Sequence, residues 1–215
     1  MEVRLLGPLE LLVKGRPVRL EAAKQRALLA LLALHANEVV AADRAVDELW
    51  GERPPASAHK LVQTYVWQLR KLVGGALRTR PPGYELALPA EEPDSRRFER
   101  LLERGEAELD SGDAEAAQET LEEALALWRG PALSDVALLG SARQEAERLD
   151  ELRLAARETR VEVELMLGRS SELVPELNQL ARAGERHQAD VVSSQQALER
   201  GELTHPPDEP VRWYR

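Results

Sequence analysis

Lys60, Gln63, Thr64, Trp67, Arg70 and Lys71 recur at intervals of three and four residues, so on a helix they share one face that carries cations, an amide and a hydroxyl. Arg and Lys suit phosphate oxygens and guanine edges, and a Gln amide can bond adenine. The chemistry this set fits is hydrogen bonding in a DNA major groove. From Pro54 to Arg80 there is no Asp or Glu, although the whole chain carries a net charge of -9. Two further arginines, Arg78 and Arg80, stand just before a Pro81-Pro82-Gly83 turn. The competing reading of the six residues is an ordinary solvated helix face, and their setting must decide.

The opposite side of the same stretch repeats Val62, Tyr65, Val66, Leu69, Leu72 and Val73, a stripe that packs on a core. A helix is therefore predicted up to Val73 from a lead-in at Pro55, with Ser57 as its N-cap and Gly74-Gly75 closing it. Upstream, three strand-like runs, Val3 to Leu6, Leu9 to Val13 and Pro17 to Leu20, are divided by Gly7-Pro8 and Lys14-Gly15, which predicts a small antiparallel sheet. Ala22 to His35 reads as a helix with few polar positions, one that must be largely buried. Asn37 ends it, and Glu38 to Ala41 forms an extended link. Asp43 caps a second helix that runs through Trp50 and stops at Gly51. Downstream, Ala76 to Arg80, the Pro81-Pro82-Gly83 turn and Tyr84 to Leu88 make a hairpin with an arginine pair near its tip. Sheet, three helices and hairpin is the order of a winged helix-turn-helix, in which the third helix enters the major groove.

Charge divides the 215 residues. Residues 1–90 hold 13 Lys and Arg against 9 Asp and Glu, and the remainder holds 16 against 29. A polyanion is attracted to the first part and repelled by the second, which suggests two domains with different partners. With no Cys, the chain has no disulfide framework, thiolate nucleophile or Cys-based zinc site. His35, His59, His187 and His205 form no HExxH pair, and no phosphate-cradling glycine motif occurs, so neither catalysis, a metal nor a cofactor is expected. His59, at the start of the basic helix, reads either as a phosphate contact or as a surface histidine. Carboxylates beside arginines, as in Glu147-Arg148 and Glu158-Thr159-Arg160, read as a solvated face. The longest apolar stretch, Ala27 to Leu34, is too short to span a bilayer, and the MEVRLLGP start shows no signal-peptide pattern. A cytoplasmic location with no membrane partner is the expectation.

Residues 89–93, Pro-Ala-Glu-Glu-Pro, read as a linker, with Asp94 or Ser95 capping the next helix. Phe98, Leu101, Leu102, Gly105 and Leu109 keep helical spacing up to Ser111-Gly112-Asp113. A second helix is predicted from Ala114 to about Trp128 with Ala117, Leu121, Ala124, Leu125 and Trp128 on one face. This pair is a helical hairpin, the unit of tetratricopeptide-like folds, although a 34-residue period does not recur. After Arg129-Gly130-Pro131, a long helix from about Ala142 to Leu167 follows, with Leu149, Leu152, Ala156, Val163 and Leu167 as its stripe, and then another over Glu172 to Ala183.

LLGPLEL, KQRALLALLALHAN, LVQTYVWQLRKLV and RTRPPGYEL resemble the OmpR-type winged helix of the Streptomyces antibiotic regulatory protein family of transcriptional activators. FERLLERGEAEL, LEEALALWRGPALSDV and RLDELRLAARETRVEVELMLGRSSELVPEL resemble the bacterial transcriptional activator domain that follows it in that family. The resemblance implies a fold of α+β winged helix-turn-helix (residues 1–90) followed by an all-α tetratricopeptide-like helical domain (91–182). It implies a sequence-specific activator of a secondary-metabolite gene cluster that binds promoter direct repeats in double-stranded DNA as a homodimer and contacts RNA polymerase. By the same resemblance Lys60, Gln63, Thr64, Trp67, Arg70 and Lys71 lie on the DNA side, with Arg78 and Arg80 in the wing. Trp67 departs from the small or basic residues usual at its position: it stacks on sugar, touches a thymine methyl, or packs on a helix neighbour. Residues 183–215 match no family pattern and read as a disordered tail, at most weakly helical around Val191 to Leu198, so that the helical domain reads as truncated. A protein that binds DNA but activates poorly is the resulting expectation. The alternative to the whole reading is a helical adaptor that binds proteins and reads no DNA sequence.

Overall fold

Gly7-Pro8 and the Lys14-Gly15 turn cut the N-terminus into three short strands, as their turn chemistry requires. In the computed structural model, which describes residues 1–88 and 93–168, β1 (Glu2–Arg4), β2 (Glu10–Val13) and β3 (Arg16–Val18) form an antiparallel sheet in chain order, with Val3 opposite Leu11 and Leu11 opposite Val18. The linker at residues 89–92, the helix predicted over 172–183 and the tail lie outside the described residues.

α1 (Ala23–Leu34) is buried from Ala27 through Ala33, because α2 (Ala42–Trp50), α3 (Ala58–Val73) and a later helix (Gly140–Met166) all pack on it. A helix apolar on every side needs partners on every side, and α1 has them. Asn37 takes up a left-handed backbone (φ 68°). From there its N–H donates to the Leu86 carbonyl, and its side-chain oxygen accepts from Leu88 N–H at 2.8 Å. The link that follows is a strand, β4 (Val39–Ala41), paired antiparallel with the hairpin of β5 (Leu77–Arg80) and β6 (Gly83–Leu86) in the order β4-β6-β5. α2 begins two residues earlier than predicted, with Ala41 at the N-cap; Asp43 lies in its first turn, where a carboxylate still favours the helix dipole.

The second half is helical: α4 (Asp94–Asp110), α5 (Ala114–Ala126) and α6 (Gly140–Met166). α4 and α5 form the predicted hairpin; Gly112 turns the chain (φ 84°) and Asp113 caps α5 by accepting from Ala116 N–H at 3.1 Å. Phe98 and Trp128 meet edge to face, with ring centroids 5.2 Å apart. Trp128 stands just beyond the end of α5, where it stays buried beneath Arg153 of α6.

The two halves are joined by buried hydrogen bonds. Neither Asp94 nor Ser95 is the N-cap of α4; Pro93 holds that position. The Asp94 carboxylate instead accepts from the N–H groups of Leu5 (2.6 Å) and Leu6 (3.2 Å), with an Arg129 guanidinium nitrogen 3.6 Å away. Burial pushes this carboxyl above the usual range, and the two amides and Arg129 partly offset that. The carbonyls of the same two leucines accept from Leu133 N–H (2.9 Å) and Arg129 N–H (2.8 Å). Gly7 is required beside them, since its φ is +140° and a Cβ there would lie 2.9 Å from Arg129 Cβ. A second clamp joins α2 to α6: Glu48 accepts from Ser141 N–H at 3.0 Å and Ala142 N–H at 3.2 Å, serving free amides at the start of α6.

Asp94→Ala leaves two fully buried amides without an acceptor, at about 1–3 kcal/mol each. Urea unfolding should show a loss of about 2–6 kcal/mol, and Asp94→Asn, which keeps one acceptor oxygen, should lose less. A stability unchanged by Asp94→Ala would contradict this role.

Candidate nucleic-acid interface

α3 follows Pro54-Pro55 and ends where Gly74 turns the chain with φ 62°. Ser57 holds the N-cap position but makes no side-chain cap bond, and Arg70 and Lys71 occupy the last turn, where cations favour the helix dipole. Ala58, Val62, Val66 and Leu69 are buried against the core, with Tyr65, Leu72 and Val73 half-buried beside them. The predicted two-sided helix is thus present. Lys60, Gln63, Thr64, Trp67 and Lys71 are all exposed with the helical half in place.

Each predicted site residue has a distinct setting. Lys60 and Gln63 make no side-chain hydrogen bond to any other described residue. The Thr64 hydroxyl donates to the Lys60 carbonyl at 2.9 Å, one turn back, leaving its oxygen free to accept. Trp67 is 56% exposed, and the Lys71 ammonium lies 3.4 Å from its ring centroid. Arg70 turns toward the wing: its Nε donates to the Leu77 carbonyl at 2.9 Å and an Nη to Thr79 Oγ1 at 2.5 Å, so it braces α3 against β5. In the wing, Arg78 is exposed with Nε 3.4 Å from the Gly75 carbonyl, and Arg80 pairs with Glu85 across the hairpin at 3.1 Å. The Arg80 side chain is exposed and Glu85 mostly covered; a pair at the surface holds little free energy, so Arg80 can exchange its carboxylate for a phosphate. His59 meets Asp43 of α2 at 2.7 Å, with both side chains exposed, so the face has an acidic neighbour at its N-terminal end that α3 itself does not supply.

The wing stands where it does because of β4, and β4 approaches because of Gly83. The turn was predicted to include Gly83, but that residue opens β6: a Cβ there would lie 1.8 Å from the Val40 carbonyl oxygen. Sequence reasoning missed the third strand and the Arg70 brace. The adjacent β-branched pair Val39-Val40 was the available signal for the strand; nothing local signalled the brace, because its acceptors are a backbone carbonyl and a threonine on the next element. Among the described residues no group of His, Cys, Asp and Glu is arranged to hold a metal, and no helix is long and apolar enough to cross a membrane.

Two families match the chain: "Transcriptional regulatory protein, C terminal" over residues 15–84 and "Bacterial transcriptional activator domain" over residues 93–200. The regulatory protein DnrI of Streptomyces peucetius is 38% identical over 200 residues, covering 87% of this chain and 74% of that protein. The transcriptional regulatory protein EmbR of Mycobacterium tuberculosis is 36% identical over 187 residues, 84% of this chain and 48% of that protein. The transcriptional regulator RedD of Streptomyces coelicolor is 34% identical over 189 residues, 84% of this chain and 54% of that protein. A solved structure of M. tuberculosis EmbR, in complex with a low affinity phosphopeptide, superposes with a TM-score of 0.80 at 30% identity, covering 97% of this chain and 62% of that one. The chain therefore spans about three quarters of DnrI and about half of EmbR and RedD.

Gly83→Ala should displace β4 from the hairpin and lower stability by at least about 1–3 kcal/mol, the cost of forcing extra atoms into a packed site; urea unfolding of the DNA-free protein measures it. In the same assay Arg70→Ala should lose about 1 kcal/mol, the net worth of hydrogen bonds in a brace of this kind, whereas Lys60→Ala should stay within about 0.5 kcal/mol of wild type. Equal effects of the two would contradict the brace.

Proposed function

The chain belongs to the Streptomyces antibiotic regulatory protein family of transcriptional regulators, and we propose that it binds promoter direct repeats in double-stranded DNA through α3 and the wing and activates transcription. One observation carries the reading: α3 presents Lys60, Gln63, Thr64, Trp67 and Lys71 to solvent, beside a wing bearing Arg78 and Arg80, on a stretch free of acids from Pro54 to Arg80. Lys60, Lys71, Arg78 and Arg80 serve as phosphate contacts that set register, and Gln63 and Thr64 read base edges. Arg70 acts by holding the wing at its angle to α3 and contributes charge to the same surface. In this proposal residues 1–90 bind DNA. The acidic region from residue 91 to about 182 serves dimerisation on adjacent repeats and contact with RNA polymerase, and its negative charge keeps it off the duplex. The target is a secondary-metabolite gene cluster, the chain is not an enzyme, and it works in the cytoplasm.

Selection from a pool of upstream DNA at low salt should enrich a direct repeat. Affinity for it should fall by about 0.9 log units per log unit of salt for each phosphate neutralised. Lys60→Ala should lower that slope by about 1 and weaken all sequences alike, while Gln63→Ala should change which base is preferred at one position of each repeat. A pool with no enriched motif, or binding indifferent to salt, would overturn the reading.

A further inference from the structure

The centre of the outward face of α3 is an indole. Trp67 follows Gln63 by four residues and Thr64 by three, so the three form one exposed patch. Among the described residues, the large exposed hydrophobic side chains are Trp67, Val39, Leu165 and Met166, and Trp67 carries a lysine ammonium over its ring. The guanidinium nearest in sequence, that of Arg70, is drawn off to Leu77 and Thr79. What α3 offers at mid-helix is therefore an apolar surface. Lys71, 3.4 Å from the ring centroid, places a positive charge on that surface and restrains the ring. An apolar group carried by a cation toward a polyanion finds one apolar feature on the base edges of a major groove, the 5-methyl group of thymine.

We propose that Trp67 is a specificity-determining residue that packs on a thymine methyl in each repeat, with the Lys71 ammonium holding the ring and lying toward the adjacent phosphate. The inference rests on the DNA-binding reading above and deepens it. Restraint by Lys71 in the free protein lowers the ordering cost on binding, so the contact favours thymine over cytosine without any hydrogen bond.

The test uses the enriched duplex, with each thymine replaced in turn by deoxyuridine, which removes the methyl group alone. Fluorescence anisotropy then gives Kd for wild type, Trp67→Phe and Trp67→Ala. In wild type one thymine per repeat should show a loss of roughly four-fold on replacement, the factor expected for burying one methyl group. Trp67→Ala should bind more weakly and no longer distinguish thymine from uracil at that position, and Trp67→Phe should keep part of the discrimination. A flat uracil scan in wild type, or an undiminished penalty in Trp67→Ala, overturns the proposal. If no duplex is enriched, the DNA-binding reading fails and this one with it; if a duplex is enriched and the scan is flat, the thymine contact alone falls. Should Trp67→Ala melt below wild type, the wild-type scan and Trp67→Phe still decide.

Discussion

A buried backbone amide must find an acceptor, and just past the end of β1 the chain leaves two of them, on Leu5 and Leu6, facing a carboxylate that lies 89 and 88 residues further on. Both leucines are fully buried, so water cannot substitute. Asp94 takes their N–H groups while the loop between α5 and α6 donates to their carbonyls, and the Leu5–Leu6 segment thus behaves as a strand whose two neighbours belong to the other half of the molecule. Leu133 adopts a left-handed backbone, φ 51°, to deliver its share, a conformation costly for a bulky residue and held by its surroundings. Further contacts between the halves gather around this knot: Arg129 donates to the Pro8 carbonyl, Asp135 accepts from Leu9 N–H, and Arg26 pairs with Asp135.

α1 and α2 turn that knot into architecture. α1 is the common floor on which α3 packs from the N-terminal half and α6 from the helical half. α2 adds a polar counterpart, because Glu48 replaces the local cap that α6 lacks: Leu139 at the N-cap position has no side-chain acceptor to give. The free amides at the head of a 27-residue helix are thus satisfied from another element, and the carboxylate also suits the positive end of the helix dipole.

Much of this could be read from residues near one another in the chain. Gly-Pro and Lys-Gly turns, the uninterrupted Ala and Leu of α1, the two-sided spacing of α3 and the Ser-Gly-Asp break between α4 and α5 all follow from local rules, and the elements stand close to their expected positions. What escaped was non-local. Nothing near Asp94 distinguishes a cap from an acceptor for distant amides, so a plausible capping residue proved to be the junction. Strand β1 was read through to Leu6 for the same reason: its sequence is strand-like, but its partners after Arg4 are a side chain and a loop. At the candidate interface, residue types announced a basic face, yet only the fold could show that Arg70 is spent on the wing and that Trp67 stands out with a lysine on its ring.

The junction also changes what the covalent connection between the halves has to do. Orientation is set by Asp94, Glu48 and the leucine amides, and these bonds act as a clamp between the halves. Lengthening a tether adds loop entropy only slowly, about 0.6 kcal/mol for each doubling. A longer connection between the halves would therefore leave the angle between α3 and the acidic helices α4 to α6 unchanged. Geometry in this molecule is thus carried by contacts between folded elements, and the covalent path from one half to the other is free of that duty.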